Sequence, residues 1–235
     1  MEFEEKWTMR GLDETDPGCV KTINELKTFI LECGFLPLFR NTIPGFSVEE
    51  NVPTKGWWTG NESVDPWEWR MMLSEDNLVA YGKFFNGISG FISADWFPYF
   101  AQLKRDGYDF DSAADEGILN RRLVQLMEPF RSGDEVIFSN VLKHQTGLGG
   151  GFETALAQAQ AKSYLVCHSF AQRVNKQGMP YGWHVARYCT PELKFGAKKV
   201  RSMYGMSVRE AQKAIFRKVN RHFRAEETVL QKIFK

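Results

Sequence analysis

Apolar residues first fall at helical spacing in Ile23, Leu26, Phe29 and Ile30, directly behind a Thr22/Glu25 capping box. The spacing predicts a helix over Ile23 to Cys33, stopped by Gly34. Pro37, Pro44 and Pro53 then break the pattern, until Asp65-Pro66-Trp67-Glu68 supplies an N-cap, a proline at the first helical position and a first-turn carboxylate. A short helix to about Ser74 follows from those signals. Leu78 to Phe84 and Ile88 to Ser93 are apolar, aromatic-rich runs separated at Asn86-Gly87, a dipeptide that supplies the positive φ angles of a tight hairpin. Trp96 to Arg105 reads as a further helix, ended by Gly107.

The acidic stretch Asp106 to Glu116 interrupts the apolar pattern and marks a module boundary. Beyond it, Ile118, Leu119, Leu123, Leu126 and Met127 predict a helix, with two more at Ser139 to Thr146 and Phe152 to Lys162. Two long strands follow, Tyr164 to Val174 and Tyr181 to Thr190, joined by a loop holding Lys176, Gly178 and Pro180. Three helices and then a hairpin with a basic tip is the order of a winged helix-turn-helix. The last part opens with a second capping box, Ser207/Glu210, and puts Val208, Ala211, Ile215, Val219 and Phe223 on one face of a terminal helix. The expected class is therefore α+β. Residues 1–110 form a tryptophan-rich helix and β-hairpin module, 111–192 a winged helix, and 193–235 a basic helical tail packing on it.

Charge sharpens this division. The 235-residue chain carries a net charge of only +1, and its 43% hydrophobic and 25% charged residues are those of an ordinary globular protein. Between Lys194 and Lys235, however, twelve Lys and Arg face three Glu, so the tail is +9 and the remainder −8. Met1 to Trp7 is acidic and lacks a secretory signal's basic and apolar regions, and no run is apolar enough to span a membrane, so a cytoplasmic protein is expected. Four cysteines without a C-x-x-C pair signal neither a zinc ribbon nor a thioredoxin-like site and read as buried thiols.

Three groups of residues carry candidate chemistry. On the Phe152 to Lys162 helix, Thr154, Gln158 and Lys162 form an outward stripe; in a DNA-reading winged helix they would meet base edges, and otherwise they are a solvated face. Arg173 and Lys176 flank the hairpin tip. On the terminal helix Arg209, Lys213, Arg217 and Arg221 recur at spacing four, where like charges oppose helix formation by about 0.2–0.5 kcal/mol per pair and so invite an anionic partner. Phosphate is one such partner; Asp109, Asp111, Asp115 and Glu116 are another. Third, five of the seven tryptophans lie between Trp57 and Trp96, and Trp57, Trp58, Asp65, Trp67, Glu68, Trp69 and Arg70 alternate indoles with ionisable groups, as core or as the wall of a pocket.

Other chemistries do not assemble. A hairpin centred on Gly178 sets His168 opposite Tyr188 and His184 opposite Gln172, about 13 Å apart and too far for one metal, and it sets Cys167 opposite Cys189. Asp109-Phe-Asp111 begins like a calcium loop but continues with Ala113 and without the turn glycine. Gly147, Gly149, Gly150 and Gly151 have no preceding strand and no following Lys-Ser/Thr, so they read as an interhelical turn and not a phosphate cradle. Neither a metal nor a cofactor is expected.

Several strings together resemble the bacterial AlkZ-related proteins over nearly the whole chain: Phe35-Leu-Pro-Leu-Phe, Gly56-Trp-Trp-Thr-Gly, Asp65-Pro-Trp-Glu-Trp-Arg, Tyr81-Gly-Lys-Phe-Phe, Gly90-Phe-Ile-Ser, Asp106-Gly-Tyr-Asp-Phe-Asp and Pro180-Tyr-Gly-Trp. The resemblance implies a distant relation to winged-helix DNA glycosylases of the AlkZ and YcaQ type, which use a catalytic Gln-x-Gln or Gln-x-Asp motif on alkylated bases. Gln158-Ala-Gln160 matches those letters, which makes Gln158 and Gln160 the candidate catalytic pair, although on a regular helix they point about 200° apart. The functions expected are DNA or RNA binding associated with repair, a glycosylase-like hydrolase, or a ligand-sensing or protein-interaction module.

Overall fold

In the computed structural model, residues 8–235 are described; the leader Met1–Trp7, read above as lacking a secretory signal, lies outside the described residues. Helix α1 (Ile23–Cys33) begins at a complete capping box, with Glu25 N–H donating to Thr22 Oγ1 at 3.2 Å and Thr22 N–H to Glu25 Oε2 at 3.0 Å. The short strand β1 (Phe35–Pro37) and helix α2 (Val48–Asn51) follow, then α3 (Pro66–Glu75), where Asp65 accepts from Trp67 N–H at 2.8 Å. Strands β2 (Val79–Phe85) and β3 (Ile88–Ser93) turn through Asn86 and Gly87, at φ 48° and 86°. Helix α4 (Phe97–Arg105) ends where Asp106 and Gly107 both take positive φ.

The acidic stretch is not bare loop. Asp109 caps a short helix α5 (Phe110–Asp115), which seats Ala113 in the interior, and so the would-be calcium carboxylate is occupied by Ser112 N–H at 3.0 Å. Helix α6 (Arg121–Met127) starts only at its Asn120 cap, leaving Ile118 outside it and exposed. Strand β4 (Ile137–Phe138), α7 (Ser139–Thr146), α8 (Phe152–Ala161), β5 (Val166–Val174) and β6 (Pro180–Cys189) complete this part. Helices α9 (Pro191–Phe195) and α10 (Ala197–Val200) lead to the tail.

The expected single terminal helix is two, α11 (Val208–Val219) and α12 (Glu227–Ile233). The break is local: Asn220 caps α11, and its side-chain amide bonds both ways to the Ala225 backbone, at 3.1 and 2.9 Å. Phe223 therefore enters the core from a turn.

All six strands form one antiparallel sheet in the order β1-β3-β2-β5-β6-β4. The hairpin β5–β6 thus continues the N-terminal sheet, through the Tyr81–Cys167 pairing of β2 with β5. Its register corrects the expectation of a plain hairpin. Ser169–Arg187, Phe170–Ala186 and Ala171–Val185 pair as expected, but one irregularity at His168 and another near Gln172 shift both ends, so Cys167 faces Tyr188, Cys189 faces Val166, and neither histidine has its expected partner. An extra residue in one strand cannot be read from alternation alone.

Two apolar cores lie against the sheet. One gathers α1, β1–β3, α4 and, from the tail, Ile215, Phe216, Val219, Phe223, Leu230 and Phe234. Phe234 sits edge-on to Phe35 and Phe85, at 5.3 and 5.6 Å between ring centroids. The other runs from Ala113 to Leu165 and is built by α5, α6, α7 and α8. Gln160 joins α8 to the sheet: it is only 3% exposed, accepts from Lys83 N–H at 3.1 Å and donates to the Leu156 carbonyl. Gly82 makes room for it, since a Cβ there would stand 3.2 Å from Gln160 Oε1.

Candidate nucleic-acid interface

The distal half of the β5–β6 hairpin stands clear of the body. From Gln172 to His184 every residue is exposed, including Val174, Met179, Tyr181 and Trp183, the last at 88%. Large apolar side chains on an unsupported ribbon lose the burial that normally stabilises them, which makes this stretch the candidate contact surface. Basic groups are set among them. Arg173 lies over the Tyr181 ring at 5.2 Å, and Lys176 occupies the tip, which Asn175 closes by accepting from Gln177 and Met179 N–H.

Between this ribbon and the start of α3 opens a cleft of about 940 Å³, lined from one side by Trp58, Trp67, Glu68 and Arg70 and from the other by Gln172, Trp183 and His184. Arg70 is 8% exposed, with its guanidinium carbon 3.6 Å from the Trp67 ring centroid and 4.6 Å from that of Phe170. Its Nε is buried without a hydrogen-bond partner, and among the described residues no carboxylate lies within ion-pair distance of it. Burial pulls Arg70 below the ordinary guanidinium range. The rest of the tryptophan-rich group is structural. Trp69 is fully buried and donates to the Glu62 carbonyl, Trp57 is core, and Asp65 spends its oxygens on the N–H groups of Trp67 and Gly60. The hairpin-side half of the cleft was missed from sequence; its one local signal was Pro180-Tyr-Gly-Trp, two large rings on a strand with nothing to bury them.

On α8, Thr154 is exposed and Gln158 and Lys162 are half-buried. Gln158 accepts from the Asn120 side chain at 2.9 Å, while Gln160 turns inward to Lys83. The two glutamines therefore serve opposite sides of the helix, as the turn per residue requires. Lys104 of α4, whose charge feels that of Lys162, donates from its ammonium to the Phe234 carbonyl at 2.6 Å and to a main-chain oxygen of Lys235 at 2.7 Å, fastening the tail to α4. Burial, and then repulsion from Lys162, draws Lys104 down to about 8.

Of the tail stripe, Arg209, Lys213 and Arg217 are exposed along α11, while the expected fourth member, Arg221, lies exposed in the turn beyond the Asn220 cap because the helix stops there; among the described residues none of the four forms an ion pair. The acidic stretch is engaged elsewhere: Asp109 with Arg201 at 3.2 Å and Asp111 with Arg131 at 3.2 Å. The candidate interface thus comprises three basic features, the ribbon tip, the end of α8 and α11, with an aromatic cleft beside the first. Among the described residues no cluster of His, Cys, Asp or Glu has the arrangement of a metal site, and no helix is long and apolar enough to cross a membrane.

A family model described as AlkZ related matches residues 20–235. No curated protein and no solved structure matches the chain.

Proposed function

The chain belongs to the AlkZ-related family, and from that membership together with its surface we propose that it binds nucleic acid through a winged helix, in association with DNA repair. The order α6, β4, α7, α8, β5, β6, with β4 paired to β6, supports reading residues 111–192 as that domain, with α8 as the helix offered to a groove and the β5–β6 ribbon as the wing. On this reading the N-terminal module carries the cleft and the tail adds phosphate contacts.

The observation that carries the proposal is the wing itself, a ribbon with Arg173 and Lys176 beside Tyr181 and Trp183, all exposed. Cations there neutralise phosphates, and rings take the faces of bases. Fluorescence anisotropy with labelled duplex and single-stranded DNA across a salt series tests it. The wild type should bind at low salt and weaken steeply as salt rises. An R173A/K176A variant should lose up to about two units of the log–log salt slope on duplex, at roughly 0.9 per phosphate contact. Absent or salt-independent binding overturns the proposal. A glycosylase drawing on Gln158 and Gln160 together would require the end of α8 to unwind, and abasic-site release from alkylated DNA is the assay for it.

A further inference from the structure

Arg70 lines the cleft beside the wing, and among the described residues its guanidinium makes no hydrogen bond. It lies against the Trp67 and Phe170 rings, is more than nine-tenths buried, and has its Nε–H enclosed without an acceptor. A buried unsatisfied donor is costly, and native proteins keep few of them outside functional sites. A second cost stands beside it. Trp58 holds φ at +58°, a left-handed conformation that bulky residues avoid, and is 57% exposed with its indole lining the same cleft. Trp183, from the wing, supplies the opposite wall.

We propose that this cleft clamps one unpaired, unstacked base of a single-stranded segment while the wing holds the adjoining phosphates. Trp58, Trp67 and Trp183 offer flat apolar faces, and every base edge carries a ring nitrogen or carbonyl that accepts from Arg70. Glu62 and Glu68 on the lining accept from ring N–H or amino groups and repel phosphate, so the backbone stays outside. The cation that would meet it is at the lip: an added Cβ at Gly182 would lie 3.6 Å from Arg173 Nη2. A free nucleoside polyphosphate fits this division poorly, because its charge would have to enter beside two carboxylates. A base tethered in a strand puts each part where its counterpart lies. The volume, about 940 Å³, exceeds what a base alone needs and leaves space for its sugar.

The inference rests on the nucleic-acid reading, and the experiment separates the two. Three labelled probes of one sequence are compared by anisotropy at fixed salt: a single strand, the paired duplex, and the duplex with one central bulged base; tryptophan emission is followed in parallel. The single strand and the bulged duplex are expected to bind roughly 5- to 150-fold tighter than the paired duplex, the worth of one stacked base, and to quench tryptophan emission. Trp183→Ala changes a side chain that the fold leaves in water, so it should remove both the preference and the quenching without unfolding the protein. R70Q should collapse the ratio between bulged and paired duplex, a ratio that partial unfolding leaves unchanged. Equal affinity for all three probes, or a W183A variant that keeps the full preference, overturns the cleft inference and leaves nucleic-acid binding standing. No binding of any probe overturns both.

Discussion

Arg105 sits where three stretches of chain meet, and replacing it with methionine tests how the molecule is fastened. From the end of α4 its guanidinium donates to Ser163 Oγ at 2.9 Å and to the Ser163 carbonyl in the α8–β5 turn, to Glu192 of α9 at 2.5 Å, and to the Tyr204 hydroxyl at 2.9 Å. Its side chain is 1% exposed and that of Glu192 20%. Methionine preserves most of the stem's volume but leaves the Ser163 carbonyl, the phenol and the carboxylate short of partners. Breaking a buried pair from one side costs about 3–5 kcal/mol, most of it the orphaned charge. For a chain of this size that is a fall in Tm of roughly 6–20 °C at 2–4 °C per kcal/mol. Differential scanning calorimetry and urea titration followed by tryptophan emission would measure it. R105K keeps the charge without the fork and should fall between. R105M/E192Q should recover part of the loss, because the stranded carboxylate is gone. A destabilisation by R105M below about 1 kcal/mol, or strict additivity of the two substitutions, would refute the argument.

Other expectations follow from the same geometry. Q160A strips a buried acceptor from Lys83 N–H and should cost about 1–3 kcal/mol, whereas Q158A, at a half-buried hydrogen bond, should cost under about 1; urea midpoints distinguish them. Lys104 titrates near 8 in the folded chain against 10.5 ordinarily, so across that window the unfolded state binds the extra proton and stability rises with pH. K104M should flatten that rise, as read from denaturation midpoints between those pH values. Cys33, Cys167 and Cys189 are buried and pushed up to about 12, and Cys19 is buried as well, so a thiol reagent should label none rapidly until the protein unfolds. Charge reversal at Lys213, Arg217 and Arg221 should weaken DNA binding and lower its salt slope without changing Tm by more than a few degrees, since all three are exposed.

Local chemistry made much of this legible. Both capping boxes, the Asp65-Pro66 helix start and the Asn86-Gly87 turn were readable because each is settled within a few residues. What escaped depends on partners far away. Strand β1 is buried at all three positions and shows no alternation, and β4 is two residues long and exists only because β6 lies beside it. The union of both hairpins in one sheet hangs on the β2–β5 pairing, which no local pattern announces. The cleft was half visible for the same reason: Trp58, Trp67, Glu68 and Arg70 are close in sequence, but Trp183 reaches them only through the fold. Sequence also could not separate core tryptophans from lining ones; burial divides Trp57 and Trp69 from Trp58 and Trp67.

The way the tail completes the first core bears on how the chain is born. Phe35, Phe46 and Phe85 leave the ribosome well before the rings that cover them, Phe223 and Phe234. Phe234 is made roughly 150 residues after Phe85, on the order of ten seconds later at ~5–20 residues per second. Throughout that interval the nascent N-terminal half holds an incomplete core and a β2 edge that has not met β5. The early-made half is therefore the part that a chaperone would shield, and a chain cut short before Phe223 would persist as an aggregation-prone fragment.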